Sequence, residues 1–193
     1  SAEMAERAFT LSSDKTDQQM LAAIRLDHWG LIDWADREYQ RVVVSPKLSA
    51  QQIIPLSIQW AELLNDFYRC EEASSVLQQT LNGSHGTVQN IQIMDSLGYS
   101  KEALAARQKY FVSRGAQEDG NRDRERLDLD EALEEYPEEI DTLIAYYHFP
   151  KISAVDRSRV VTLIEKALRK LQQRIDQEPD APNPYNEYAF QLL

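Results

Sequence analysis

Three histidines, one cysteine and many carboxylates are the side chains from which this sequence could build chemistry. His28, His85 and His148 each stand alone, with no second histidine or cysteine at the spacing of a metal-binding pair. Cys70 is followed by Glu71 and Glu72, whose negative charge disfavours the thiolate that a nucleophile requires. Gly83 and Gly86 flank Ser84-His85, without the strand or the lysine of a phosphate-binding loop. Gly98-Tyr99-Ser100 lacks the second glycine of a nucleophile elbow, and Ser100 suits the cap of a following helix. Asn82-Gly83-Ser84 fits the glycosylation triplet, which carries meaning only in a secreted eukaryotic protein. Paired carboxylates occur throughout, as chance provides in an acidic helical chain. The reading is a non-enzyme, with no metal and no cofactor.

Charge narrows the partners. The formal net charge is −11, which sets the field against phosphate backbones and anionic membranes, so no nucleic acid is expected. Between Gln117 and Asp141 twelve acids face only Arg122, Arg124 and Arg126. The plain interpretation is a solvated helix face whose arginines pair with acids one turn away. The sharper one is an acidic patch that steers a basic partner segment. No apolar run has the length to span a bilayer, so no membrane insertion is expected. A single cysteine leans towards a reducing, cytoplasmic compartment. Ser1-Ala2-Glu3 also resembles a processing boundary, and a removed leader would leave the localisation open.

The elements that must hold these side chains are helices. Of the 193 residues 42% are hydrophobic, enough for a core, while Gly 6 and Pro 7 are too few for a many-turned β-sandwich. Apolar residues recur at intervals of three and four without convincing alternation, which predicts an all-α protein. Leu21, Ala22, Ala23 and Leu26 make one amphipathic segment; Gly30 follows, then Leu31, Ala35, Tyr39, Val42 and Val43 before Pro46. Ala23 and Ala35 would let two antiparallel helices approach, and Tyr39 would fill the space beside them. The order returns around Trp60, Ala61 and Leu64 with Ala73, Leu77 and Leu81, and again where Gly98 precedes Ala103 by five residues, as Gly30 precedes Ala35. Ala35, Ala73 and Ala103 lie 38 and 30 residues apart, which brackets a repeat period in the mid-thirties.

These residues resemble the tetratricopeptide repeat (TPR) family. Tyr185, Tyr188-Ala189 and Leu192 occupy the spacing of the opening half of its motif, and Ala167 with Pro179 that of the closing half. Ala132 with Pro137, followed by Leu143, Tyr146 and Tyr147, looks like a junction between units. Tyr68 stands where glycine is usual, and Arg107 where a bulky apolar residue belongs. The resemblance implies a right-handed α-α superhelix, a solenoid of antiparallel helix pairs, with another helical-hairpin solenoid as the alternative. A single repeat domain over 1–193 would hold pairs at about 14–46, 50–82, 86–114, 121–149 and 156–193, after a short helix near 2–9. The uncapped apolar helix at 184–193 suggests a fragment of a longer protein.

In the family, the first helices of successive pairs line a concave groove that holds a peptide or a partner's helix. Carried over, that groove would be lined by Ile24, Asp27, Glu62, Asn65, Asp66, Gln92 and Asp95, with His148, Asn183 and Asn186 further on. The set is polar and acidic, which suits extended, basic or hydrogen-bonding segments of a protein. It lacks the lysines with which some relatives clamp a terminal carboxylate. Trp29, Trp34, Trp60, Tyr146 and Tyr147 are expected as core fillers. The expected function is a non-catalytic protein- or peptide-binding scaffold. The alternatives are an accessory region of a larger enzyme or regulator, and self-association.

Overall fold

A computed structural model describes residues 16–45, 47–82, 93–94, 96 and 99–177. Among them the regular elements are all helical: α1 (Thr16–His28), α2 (Ile32–Val43), α3 (Ala50–Asp66), α4 (Cys70–Asn82), α5 (Lys101–Glu118), α6 (Arg122–Glu135), α7 (Ile140–Tyr147) and α8 (Ala154–Gln177). The chain is all-α at this level. It divides into two compact units, Ser1–Tyr99 and Ser100–Leu193. The division comes just before the α5 cap, where the Ser100 hydroxyl accepts from the Ala103 N–H at 3.0 Å.

In the first unit α1 packs on α2, α2 on α3, and α3 on α4. The links α1–α2 and α3–α4 are three-residue turns of one kind. At the first, the Gly30 N–H donates to the Asp27 carbonyl at 2.8 Å and the Leu31 N–H to that of Leu26 at 2.9 Å. At the second, the Tyr68 N–H donates to Asn65 at 3.0 Å and the Arg69 N–H to Leu64 at 2.9 Å. Both are Schellman endings, which put one residue in the left-handed region: φ is 69° at Gly30 and 60° at Tyr68. The core is built from Ala23, Ala35, Tyr39, Val42, Ile53, Leu56 and Leu63, so the two alanines lie in one close-packed cluster.

Two expectations fail here. α1 turns Met20, Ala23, Ile24 and Leu26 to the core, as expected for Ala23 and Leu26, but Leu21 is left exposed. Trp29 is no core filler: it lies past the last helical residue, in the turn, and is 67% exposed. Trp60 does pack against the core, and Tyr39 is fully buried.

In the second unit α5 and α6 pack most extensively, joined by a third Schellman turn at Gly120, where φ is 71°. That turn falls between the expected pairs 86–114 and 121–149. α7 then packs on α6 and α5, and α8 on α7. The core here includes Leu104, Phe111, Leu129, Leu133, Leu143 and Tyr146. α8 adds one stripe of Val160, Ala167, Leu171 and Ile175. Tyr147, expected inside, is exposed at the end of α7, edge-on to His148 and beneath the Arg157 guanidinium. Arg107 fills its apolar position by lying over the Tyr110 and Phe111 rings, each 5.2 Å away.

Candidate functional site

The residues assigned to the groove have separate fates. Ile24 is half-buried against the core. Asp27 accepts a hydrogen bond from the Tyr39 hydroxyl at 3.1 Å, so its carboxylate serves the hairpin interior. Burial first, and this carboxylate second, push the Tyr39 phenol well above its ordinary range. Asn65 is buried, and the Cys70 thiol, also buried, lies 3.6 Å from its Oδ1. Glu62 is half-buried and Asp66 exposed, on the same helix. His148 is exposed at the α7 C-cap, where its N–H donates to the Ile144 carbonyl at 3.1 Å. Gln92, Asp95, Asn183 and Asn186 lie outside the described residues, as do Pro46 and the segments 2–9 and 184–193. Glu62, Asn65 and Asp66 thus share α3, with Asn65 turned inward, and His148 belongs to the other unit.

Among the described residues of the first unit, Asp36 joins three other side chains, and the sequence did not single it out. Its buried carboxylate, on α2, accepts from the Trp60 indole at 2.8 Å, from Arg69 at 2.6 Å and from Gln40 at 3.1 Å. Arg69 also donates twice to Glu72, both at 2.7 Å, and this charge-assisted pair holds the Glu72 carboxyl below its usual range. Arg69 occupies the α3–α4 turn, so the arrangement clasps the first hairpin to the second. Trp60 is the anchor the sequence could suggest, since a tucked-in indole N–H needs an acceptor. Asp36 and Arg69 gave no signal, being 33 residues apart.

Glu38 lies two residues on and is 1% exposed. Its Oε2 has no hydrogen-bond partner, and burial pushes its carboxyl up, with Arg41 at 3.8 Å opposing that shift.

The acid-rich stretch of the second unit shows the expected short-range pairing: Arg122 with Glu125 at 2.6 Å, and Arg124 with Asp128 at 2.8 Å. Glu125 and Asp128 are nevertheless buried, so this face is not simply solvated. Longer links join the helices: Arg107 to Glu139 at 2.9 Å and to Asp141, Lys109 to Glu131, and Arg126 to Asp156 at 2.6 Å. The Tyr146 phenol donates to Asp130 at 2.7 Å; burial, then this bond, push it up to about 12. A cleft of about 290 Å³ lies beside α8, floored by Ile140, Ala167 and Leu171. Lys170 at its rim is bound by Glu138 at 2.6 and 2.8 Å, so much of that local positive charge is neutralised.

No family model, no curated protein and no solved structure matches the chain. Among the described residues no group of three or more His, Cys, Asp or Glu is placed to hold a metal ion. Among them, too, no helix is long and apolar enough to cross a membrane.

Proposed function

We propose that this chain is a protein-binding scaffold module, built of TPR-like hairpins, that holds an extended or basic segment against its first helices. What supports the reading is the organisation of the first unit: two hairpins with the same three-residue turn follow one another, and α2 packs on α3 between them. Stacked hairpins bury apolar faces against each other and leave the outer face of their first helices for a ligand. On α3 that face carries Glu62 and Asp66, whose charge suits lysine- or arginine-bearing segments.

The test is a pull-down with the whole chain, repeated after Glu62→Lys and Asp66→Lys together. Reversing two acids should release a basic partner, with at least a tenfold loss of affinity in titrations of the purified pair. A partner held equally well by the reversed protein removes the acidic first-helix face from consideration.

A further inference from the structure

α8 carries two stripes side by side. Ala167, Leu171 and Ile175 recur every four residues and are buried. Lys166, Lys170 and Arg174 recur at the same interval, one position earlier, and are exposed. The helix holds six Lys and Arg against three Asp and Glu, so it is locally positive in a chain whose net charge is −11.

The cleft of about 290 Å³ lies against these stripes, and its walls come from two places. Ala167, Lys170, Leu171 and Arg174, at i, i+3, i+4 and i+7, form the α8 side. Tyr136, Glu138 and Ile140 form the other, where the chain turns from α6 into α7. That turn is well fixed. Tyr136 ends α6 in an extended conformation, and its carbonyl accepts from the Glu139 N–H at 3.2 Å. The Glu139 carboxylate caps α7 by accepting from the Thr142 N–H at 2.6 Å, and α8 packs on α7.

Volume and lining together define an occupant. The space is at the lower edge of the range for ligand sites. At about 30 Å³ per heavy atom, the share of one water molecule in the liquid, it holds on the order of ten atoms, too few for a peptide segment or a nucleotide. The floor of Ile140, Ala167 and Leu171 is apolar, so part of the ligand must be hydrocarbon.

The rim sets the charge. Lys170 and Arg174 line the cleft with one carboxylate, Glu138, and Lys166 is a third cation 3.5 Å from that same carboxylate. Glu138 can balance one of the three. The acids adjacent in sequence are directed elsewhere: Glu139 to Arg107, Glu165 to Arg169 at 3.9 Å, and Asp176 to Gln172. Glu134 and Glu135 end α6 in solvent, where salt screens them. Lys170 gives two bonds to Glu138, and an ammonium has three donors. Arg174 and Tyr136 also have contacts within the fold; Arg174 contributes its charge and Tyr136 a wall.

The geometry points to this cleft as a binding site for a small carboxylate with an apolar body, an aryl- or alkylcarboxylic acid of about ten heavy atoms. Its hydrocarbon would lie on Ile140, Ala167 and Leu171, and its carboxylate beside Lys170 and Arg174. The site belongs to the second unit and does not depend on the acidic face of α3.

The probes are 3-phenylpropanoate, 3-phenylpropan-1-ol and 3-phenylpropan-1-amine, three molecules of one shape and different charge, titrated into the whole chain and followed by amide chemical shifts. The carboxylate should bind with a dissociation constant below about 1 mM, shifting Ile140, Ala167, Lys170 and Leu171, and the amine at least tenfold more weakly. Lys170→Gln with Arg174→Gln, both exposed, should weaken the carboxylate at least tenfold and leave the alcohol within about threefold. Glu138→Gln should strengthen the carboxylate at least threefold, because it removes the charge that opposes it. Ala167→Met, which fills the floor, should abolish all three in a protein whose other amide shifts are unchanged. The proposal is overturned if the amine binds as tightly as the carboxylate, if the double variant or a folded Ala167→Met binds like the wild type, or if Glu138→Gln binds no more tightly. It is likewise overturned if the shifts map away from the cleft, or if no carboxylate binding is seen up to about 10 mM.

Discussion

Asp36 and Asp128 are both aspartates buried on one face of a helix, and they are held in opposite ways. Asp36 is reached by donors from three places: its own helix through Gln40, the next helix through Trp60, and the turn beyond through Arg69. Among the described residues, Asp128 accepts at its Oδ2 from Arg124, on its own helix, and its Oδ1 has no hydrogen-bond partner. A carboxylate tied to other helices fixes how those helices sit, because its desolvation is recovered only in one arrangement. One whose donor lies on its own helix keeps that donor wherever the helix goes, so it carries little information about packing.

The largest effect should come from Asp36→Ala. It leaves the half-buried Trp60 indole without this acceptor and frees Arg69 from the first hairpin, which should cost about 3 kcal/mol in urea unfolding. Amide exchange should quicken across α1–α4 together; loss of protection confined to α2 would contradict the clasp. Next comes Arg124→Ala, which strips a fully buried carboxylate of that donor at a cost of about 2 kcal/mol. The faster exchange should here be concentrated on α6, and an unchanged urea midpoint would show that the ion pair contributes nothing.

Glu38→Met should go the other way, by about 1 kcal/mol at neutral pH, because it removes a buried carboxylate with an orphaned oxygen. Burial raises the native pKa of Glu38, so the native state binds the proton more tightly than the unfolded chain does. The wild-type penalty is therefore full above the raised native value and fades as the pH falls towards about 4.3, the unfolded value. Unfolding curves across that window should show the gain of Glu38→Met shrinking with acidity, and a gain independent of pH would point to packing alone. The smallest effect should be Gln40→Ala, below about 0.5 kcal/mol, since two stronger donors remain on Asp36. A loss comparable to that of Arg124→Ala would erase the contrast between the two aspartates.

The helices were legible because their signals are local. Apolar spacing marks α3 and α8, Ser100 caps α5, and Gly30 marks a turn whose φ demands it. The fate of a polar side chain was not, because it depends on residues distant in sequence. Asp27 looked free for a ligand until Tyr39, twelve residues on, took it. Asn65 sits on the polar side of a helical wheel but is covered once Cys70 closes against it. Trp29 failed for a different reason: aromatic residues are usually inside, yet this one follows the last helical residue, and no helix face carries it inward. The strained Tyr68 was visible as a departure from glycine, though its φ could only come from coordinates.

The buried sulfur at the start of α4 makes the second hairpin its own stopwatch. Cys70 is the sole thiol in the sequence, so any maleimide adduct the folded protein acquires must form there. Reagent can reach it only during moments when α4 swings off α3, and the labelling rate therefore counts those moments without an installed tag.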